Sequence, residues 1–290
     1  MNKKRTITVM VIFIALISAF AAGLGIFSDF GTGAFVHESI RGQRIEIYGK
    51  GIYQHMSADV AIQGIAQDYI TLFVAVPLLI ISLIGYRKNS VKWHFLLAGT
   101  LGYFLITYLF YTAMGMYNIM FLPYVTLLCL SFFGFFLTTK ALAKPDMRSI
   151  FASKAPHKFA GWFLMINAVS IAFLWLNIII PPLVDGSLYP AELNHYTTLI
   201  VQGFDLGLLL PACFVSGFLL LTNKADGYLY ATIYLVFLSI LMTALTAKIV
   251  AMAMNDVNVI PVIFIIPTIN VVTIITAALM IRNISPLNNK

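Results

Sequence analysis

Eight long apolar runs, separated by short polar stretches, organise the chain: residues 7–27, 69–86, 93–116, 119–138, 159–181, 198–221, 228–254 and 257–281. Each is close to the roughly 20 residues that a helix needs to cross a hydrocarbon core. Backbone amides find no water to bond in lipid, and the runs lack the alternation of barrel strands, so they predict helices. The expected fold is an all-α membrane protein: an eight-transmembrane-helix bundle, with residues 1–290 forming a single integral membrane domain.

Three polar segments interrupt this pattern. In the external loop 28–66, Arg44-Ile45-Glu46-Ile47-Tyr48 alternates, and Gly49-Lys50-Gly51 then leads to Ile52-Tyr53. That pattern predicts a small external β-hairpin turning at the glycines. Residues 58–68 are expected to begin the second helix above the membrane, with Ser57 as its N-cap. The linker 140–158 is basic and broken by Pro145 and Pro156, and the shorter loop 184–194 carries Asp185 and Glu192.

The two halves, 1–140 and 158–290, share an order of features. Gln67, Asp68 and Pro77 answer to Gln202, Asp205 and Pro211. Ala113-Met114-Gly115-Met116 answers to Ala251-Met252-Ala253-Met254. Duplication of a four-helix unit would give two parallel repeats about an axis normal to the membrane. The small alphabet of apolar helices produces such likeness by chance as well, and the pattern leaves both origins open.

Charge sets the orientation. The net charge is +7, but its distribution argues against nucleic acid as a partner. With the N-terminus inside, only Arg41, Arg44 and Lys50 lie outside and Lys248 lies within a span; the cytoplasmic set includes Lys3, Lys4, Arg5, Arg87, Lys88, Lys92, Lys140, Lys144, Arg148, Lys154, Lys158, Lys224, Arg282 and Lys290. This asymmetry predicts cytoplasmic N- and C-termini and contact with the lipid bilayer. Lys3-Lys4-Arg5, an apolar stretch and Ala19-Phe20-Ala21 imitate a signal peptide. The run continues past that point to Phe27, which favours an uncleaved helix.

With mean hydropathy +0.92 and 10% charged residues, a charge inside a span is costly and is usually turned inward for function. Asp68, Asp205 and Lys248 are such charges, and Gln67, Gln202, Tyr111 and Asn177 fall near the same height, about 28–32 Å from the cytoplasmic boundary by helical rise. His195, Thr198, Gln202 and Asp205 are spaced to share one helical face, while Gly203 and Gly207 suggest a close helix contact on the other. Asp205 and Lys248 are the expected ion pair, either a switchable coupling site or a fixed structural bridge. The two cysteines, Cys129 and Cys213, read as free apolar thiols.

Catalytic and metal signatures are missing. No Gly-x-Ser-x-Gly, phosphate loop or His-Glu-x-x-His occurs, and His37-Glu38 is too short a pattern to hold a metal, so no catalytic residue, metal or cofactor is assigned.

The segments DYITLFVAVPLLIISL (68–83), GTLGYFLITYLFYTAMGMYNIMFLPYVTLL (99–128) and TTLIVQGFDLGLLLPACFVSG (197–217) resemble bacterial multi-spanning inner-membrane proteins of no established activity. The resemblance implies a bacterial inner (plasma) membrane and no catalytic residues. The residues support a small-solute or ion transporter with an outward-facing polar pocket, with a membrane sensor or assembly subunit as the alternative and a lipid-directed membrane enzyme third.

Overall fold

The computed structural model describes residues 3–143 and 145–285; Lys144 and Lys290 of the predicted cytoplasmic set lie outside the described residues. Among the described residues, eight helices are long and apolar enough to span a membrane: α1 (Lys3–Phe27), α2 (Ala58–Arg87), α3 (Val91–Ala113), α4 (Phe121–Leu142), α5 (His157–Asp185), α6 (Ile200–Leu221), α7 (Ala225–Ala253) and α8 (Val262–Arg282). As expected from the sequence, α2 starts well above its apolar run.

The core lies between α3 and α7. α3 packs on α2, α4 and α7, and α7 packs on α3, α6, α8 and the N-terminal half of α2. Gly99 makes the central crossing close, because a side chain there would run into Val236 of α7. Phe95, Leu97, Leu101, Tyr103 and Phe104 of α3 are fully buried around it. α5 lies on α6 and turns Phe159, Trp162, Ile166 and Phe173 outward. Exposed apolar surface on this scale is suited to lipid and not to water.

The α5–α6 contact corrects the expected packing groove. Gly203 and Gly207 face open space, and Gly217 instead meets Gly161, each close to the other's carbonyl. Backbones approach where both helices supply a small residue at one level, and α5 has no such residue opposite Gly203.

α2 and α6 each contain one widened π turn, at Thr71–Ala75 and Asp205–Leu209. Pro77 and Pro211 follow at the same distance. A proline lacks an amide hydrogen and its ring presses on the carbonyl four residues back. Those carbonyls, on Phe73 and Gly207, lie inside the π turns, which relieve the clash by widening.

The segment between α1 and α2 forms a cap. β1 (Phe35–Glu38) pairs antiparallel with β2 (Arg44–Ile47). The expected strand at 44–48 is present, but its partner precedes it instead of following the glycines. β1 is exposed at every position, so it carries no alternation to read. Gly49 and Gly51 have φ of +74° and +58°, a region costly to other residues, and steer the chain into a 3₁₀ turn at Gly51–Tyr53. Ser57 begins α2 without capping it; its hydroxyl pairs with Tyr196 at 3.3 Å.

Arg41 clasps the cap to the loop before α6, donating at 2.7 Å to the carbonyls of both Asn194 and Tyr196. His195 lies between the rings of His37 and Tyr196, and its Nε2 meets the His55 carbonyl at 3.1 Å. Desolvation, with Arg41 and His37 nearby, pushes the His195 pKa below its ordinary value. The clasp therefore holds full stability above the ordinary histidine value of about 6.5 and loses it as pH falls through the lower folded value. Limited proteolysis of the cap is expected to be faster at about pH 5 than at about pH 7.5. His195→Gln is expected to flatten that dependence, and an unchanged pH profile in the variant would remove His195 from the clasp.

On the opposite side, residues 150–152 of the linker pair with 283–285 after α8, through Ala152 to the Asn283 carbonyl at 2.8 Å and Ser285 to the Ile150 carbonyl at 2.7 Å. Met147, Ile150 and Phe151 are buried there, so this part of the linker is docked on its own bundle.

Candidate functional site

Asp68 lies in the N-terminal half of α2, on the face turned to α1, α3 and the cap. It is 2% exposed. Tyr53 of the 3₁₀ turn donates to its Oδ2 at 2.5 Å, and Tyr111 of α3 donates to its Oδ1 at 2.9 Å. The two hydroxyls are 3.1 Å apart, and Tyr111 also lies 3.3 Å from the Gly64 carbonyl. Two glycines make room for this arrangement. A side chain at Gly64 would strike the Tyr53 ring, and one at Gly25 of α1 would strike the Asp68 carboxylate. Both carboxylate oxygens are thus occupied and the wall of α1 closes the remaining side.

Gln67 points elsewhere, donating to Tyr103 at 2.6 Å and reaching Thr107 at 3.4 Å. Thr71 shares the Tyr103 hydroxyl at 2.8 Å and holds the Gln67 carbonyl at 2.9 Å. This network braces α2 against α3 across the start of the π turn, so Gln67 has a structural position beside the acid.

Asp205 opens the π turn of α6 and is only partly buried. Trp175 of α5 donates its indole N–H to Oδ2 at 2.8 Å. No described residue donates to Oδ1. The ring pair Phe110–Phe204, with centroids 5.7 Å apart, joins α3 to this end of α6.

Lys248 of α7 feels both acids electrostatically. It forms no hydrogen bond or ion pair with either among the described residues, which corrects the expected Asp205–Lys248 bridge. The acids have other donors, the tyrosines and the tryptophan, and the ammonium is shared between them at longer range. Such a charge is held by the field of its surroundings and not by one partner.

The remaining predicted residues separate from this layer. Tyr111 joins Asp68 as described. Asn177 is exposed on α5, two residues beyond Trp175, which is the side chain that turns inward. Gln202 is partly buried on α6 with no hydrogen bond from a described residue. His195 belongs to the cap clasp, and the single polar face expected for 195–205 is broken because α6 begins only at Ile200. Arg41 holds the carbonyls of Asn194 and Tyr196 in the loop before it. Among the described residues no group of three His, Cys, Asp or Glu side chains is placed to hold a metal.

Sequence reasoning missed Tyr53, Trp175, Gly25 and Gly64. Tyr53 lay in a predicted strand and Trp175 in an apolar run, where tryptophan ordinarily reads as lipid-facing. The position of Trp175 near the level of Asp205 was the one available signal. No protein family, curated protein or solved structure matches the chain.

Proposed function

We propose that this multi-pass membrane protein is a small-solute or ion transporter of a bacterial inner membrane, with both termini cytoplasmic and its polar layer open towards the outside. The observation that carries the reading is a pair of unlike acids: Asp68, with both oxygens occupied, and Asp205, partly exposed with a donor on Oδ2 alone among the described residues, the Lys248 charge acting on both. A ligand at Asp205 competes for the field that holds Lys248, so binding shifts the lysine towards Asp68. Transport needs such differential contact between two states. A fixed bridge would not supply it.

The fold supports the same reading through the two π turns, one beginning three residues after Asp68 and the other at Asp205 itself. Interruptions of this kind recur at functional sites and hinges. They also support an internal parallel repeat of 1–140 and 158–290, because each proline is the sixth residue after the first of its π turn. In that register Asp205 answers to Thr71, and Asp68 to Gln202, so the acids of the two halves are about one helical turn out of step.

Reconstitution into liposomes tests the proposal. Uptake of a panel of small solutes and ions is expected in the wild type and at least about tenfold less in Asp205→Asn, the loss of about 1.4 kcal/mol of transition-state stabilisation. A folded wild-type protein with no flux for any of them would sink the transporter reading and favour a membrane sensor or assembly subunit.

A further inference from the structure

The polar layer holds two carboxylates and one ammonium. Its other side chains, Tyr53, Tyr111, Gln67, Gln202 and Trp175, are neutral groups. When all three charged groups are ionised the layer is short of one positive charge, and an unpaired charge in a low-dielectric setting is costly. The two acids differ in what can reach them. Asp68 has both oxygens occupied and α1 pressed against it. Asp205 keeps Oδ1 without a donor and is partly exposed.

The surroundings of Asp205 discriminate among cations. A dehydrated metal ion needs about six oxygen ligands. Among the described residues this place offers one carboxylate and the Trp175 side chain, whose indole N–H is itself a donor and whose ring lies beside it. An ammonium group needs far less: its N–H bonds to a single carboxylate oxygen, and its carbon substituents suit aromatic neighbours.

We propose that Asp205 binds the ammonium group of a small organic cation, whose charge replaces that of Lys248 at this acid and leaves Lys248 to Asp68. The inference rests on the transporter reading for its place in a cycle, but the binding site stands or falls by itself.

Thermal unfolding of the full-length protein in detergent tests it, with methylammonium chloride as the probe and sodium chloride at equal concentration as the reference. Methylammonium is expected to raise the wild-type midpoint by ~2–4 °C as its concentration increases. Sodium is expected to leave the midpoint unchanged, and Asp205→Asn to lose the response. A cooperative unfolding transition in Asp205→Asn shows that its silence reflects the site and not a failure to fold. An equal effect of sodium would overturn the proposal, as would a response that survives in folded Asp205→Asn. So would a response confined to Lys248→Ala, which would make Lys248 a fixed counter-ion. Uptake of labelled methylammonium into liposomes separates the two readings. Binding without uptake leaves the cation site and removes transport. Asp205-dependent uptake of a neutral or anionic solute, with no methylammonium response, keeps transport and removes the cation site.

Discussion

Gly25→Ala is expected to lower the unfolding midpoint, although alanine is ordinarily the better helix residue. In an exposed helix interior the exchange gains about 0.5–1 kcal/mol. At Gly25 the new methyl group would collide with Oδ2 and Cγ of Asp68, and overpacking of a closed site costs typically about 1–3 kcal/mol. The carboxylate has nowhere to retreat, because Tyr53 and Tyr111 hold it from the other side. Gly23 lies two residues earlier on the same helix, with nothing within 4 Å of a side chain added there. Gly23→Ala is therefore expected to hold or raise the midpoint. Measuring the two variants side by side isolates the contact with Asp68 from helix propensity. Equal shifts in the same direction would show that α1 does not close the Asp68 site.

Asp68→Ala is the second large effect. It removes the common acceptor of two buried tyrosine hydroxyls and leaves a cavity in their place. A buried polar group without its partner costs about 1–3 kcal/mol. Tyr53 and Tyr111 have a partial fallback, since their hydroxyls lie 3.1 Å from one another and Tyr111 lies 3.3 Å from the Gly64 carbonyl. The net loss is accordingly expected to be about 1–3 kcal/mol, and not twice that. Asp68→Asn keeps the shape and one acceptor oxygen, so its midpoint is expected to lie between those of the wild type and Asp68→Ala. Asp205→Asn is expected to change stability least, because Asp205 has one donor and partial exposure. An order in which Asp205→Asn is the most destabilised would reverse the assignment of closed and open acid.

Much of the membrane fold was legible because the bilayer imposes one requirement on every span. Length and apolarity alone located all eight helices. The site was legible only in part. Asp205 and Lys248 declared themselves as charges inside apolar runs and Asp68 as one at the edge of its run, and Tyr111 followed from its height. Their partners did not. Trp175 and Tyr53 serve the acids through single N–H and O–H groups on residues that are otherwise unremarkable in such segments. Asn177, the more polar residue of its neighbourhood, is turned outward on α5, since height along a helix says nothing about rotation around it.

The sequence by itself determined the architecture: eight helices long and apolar enough to span a membrane, a hairpin-bearing segment between the first two, and three charges set among apolar residues. Hydrophobicity is summed over many residues, so these features survive ignorance of every contact. Only the tertiary structure decided which acid is closed and which is open, and that Lys248 is shared between them without bonding to either. It also moved the hairpin's first strand to Phe35–Glu38 and His195 into the cap clasp. Those outcomes depend on single contacts between residues far apart in the chain, such as Gly25 against Asp68 and Arg41 against Asn194. Spacing along one helix carries no record of them.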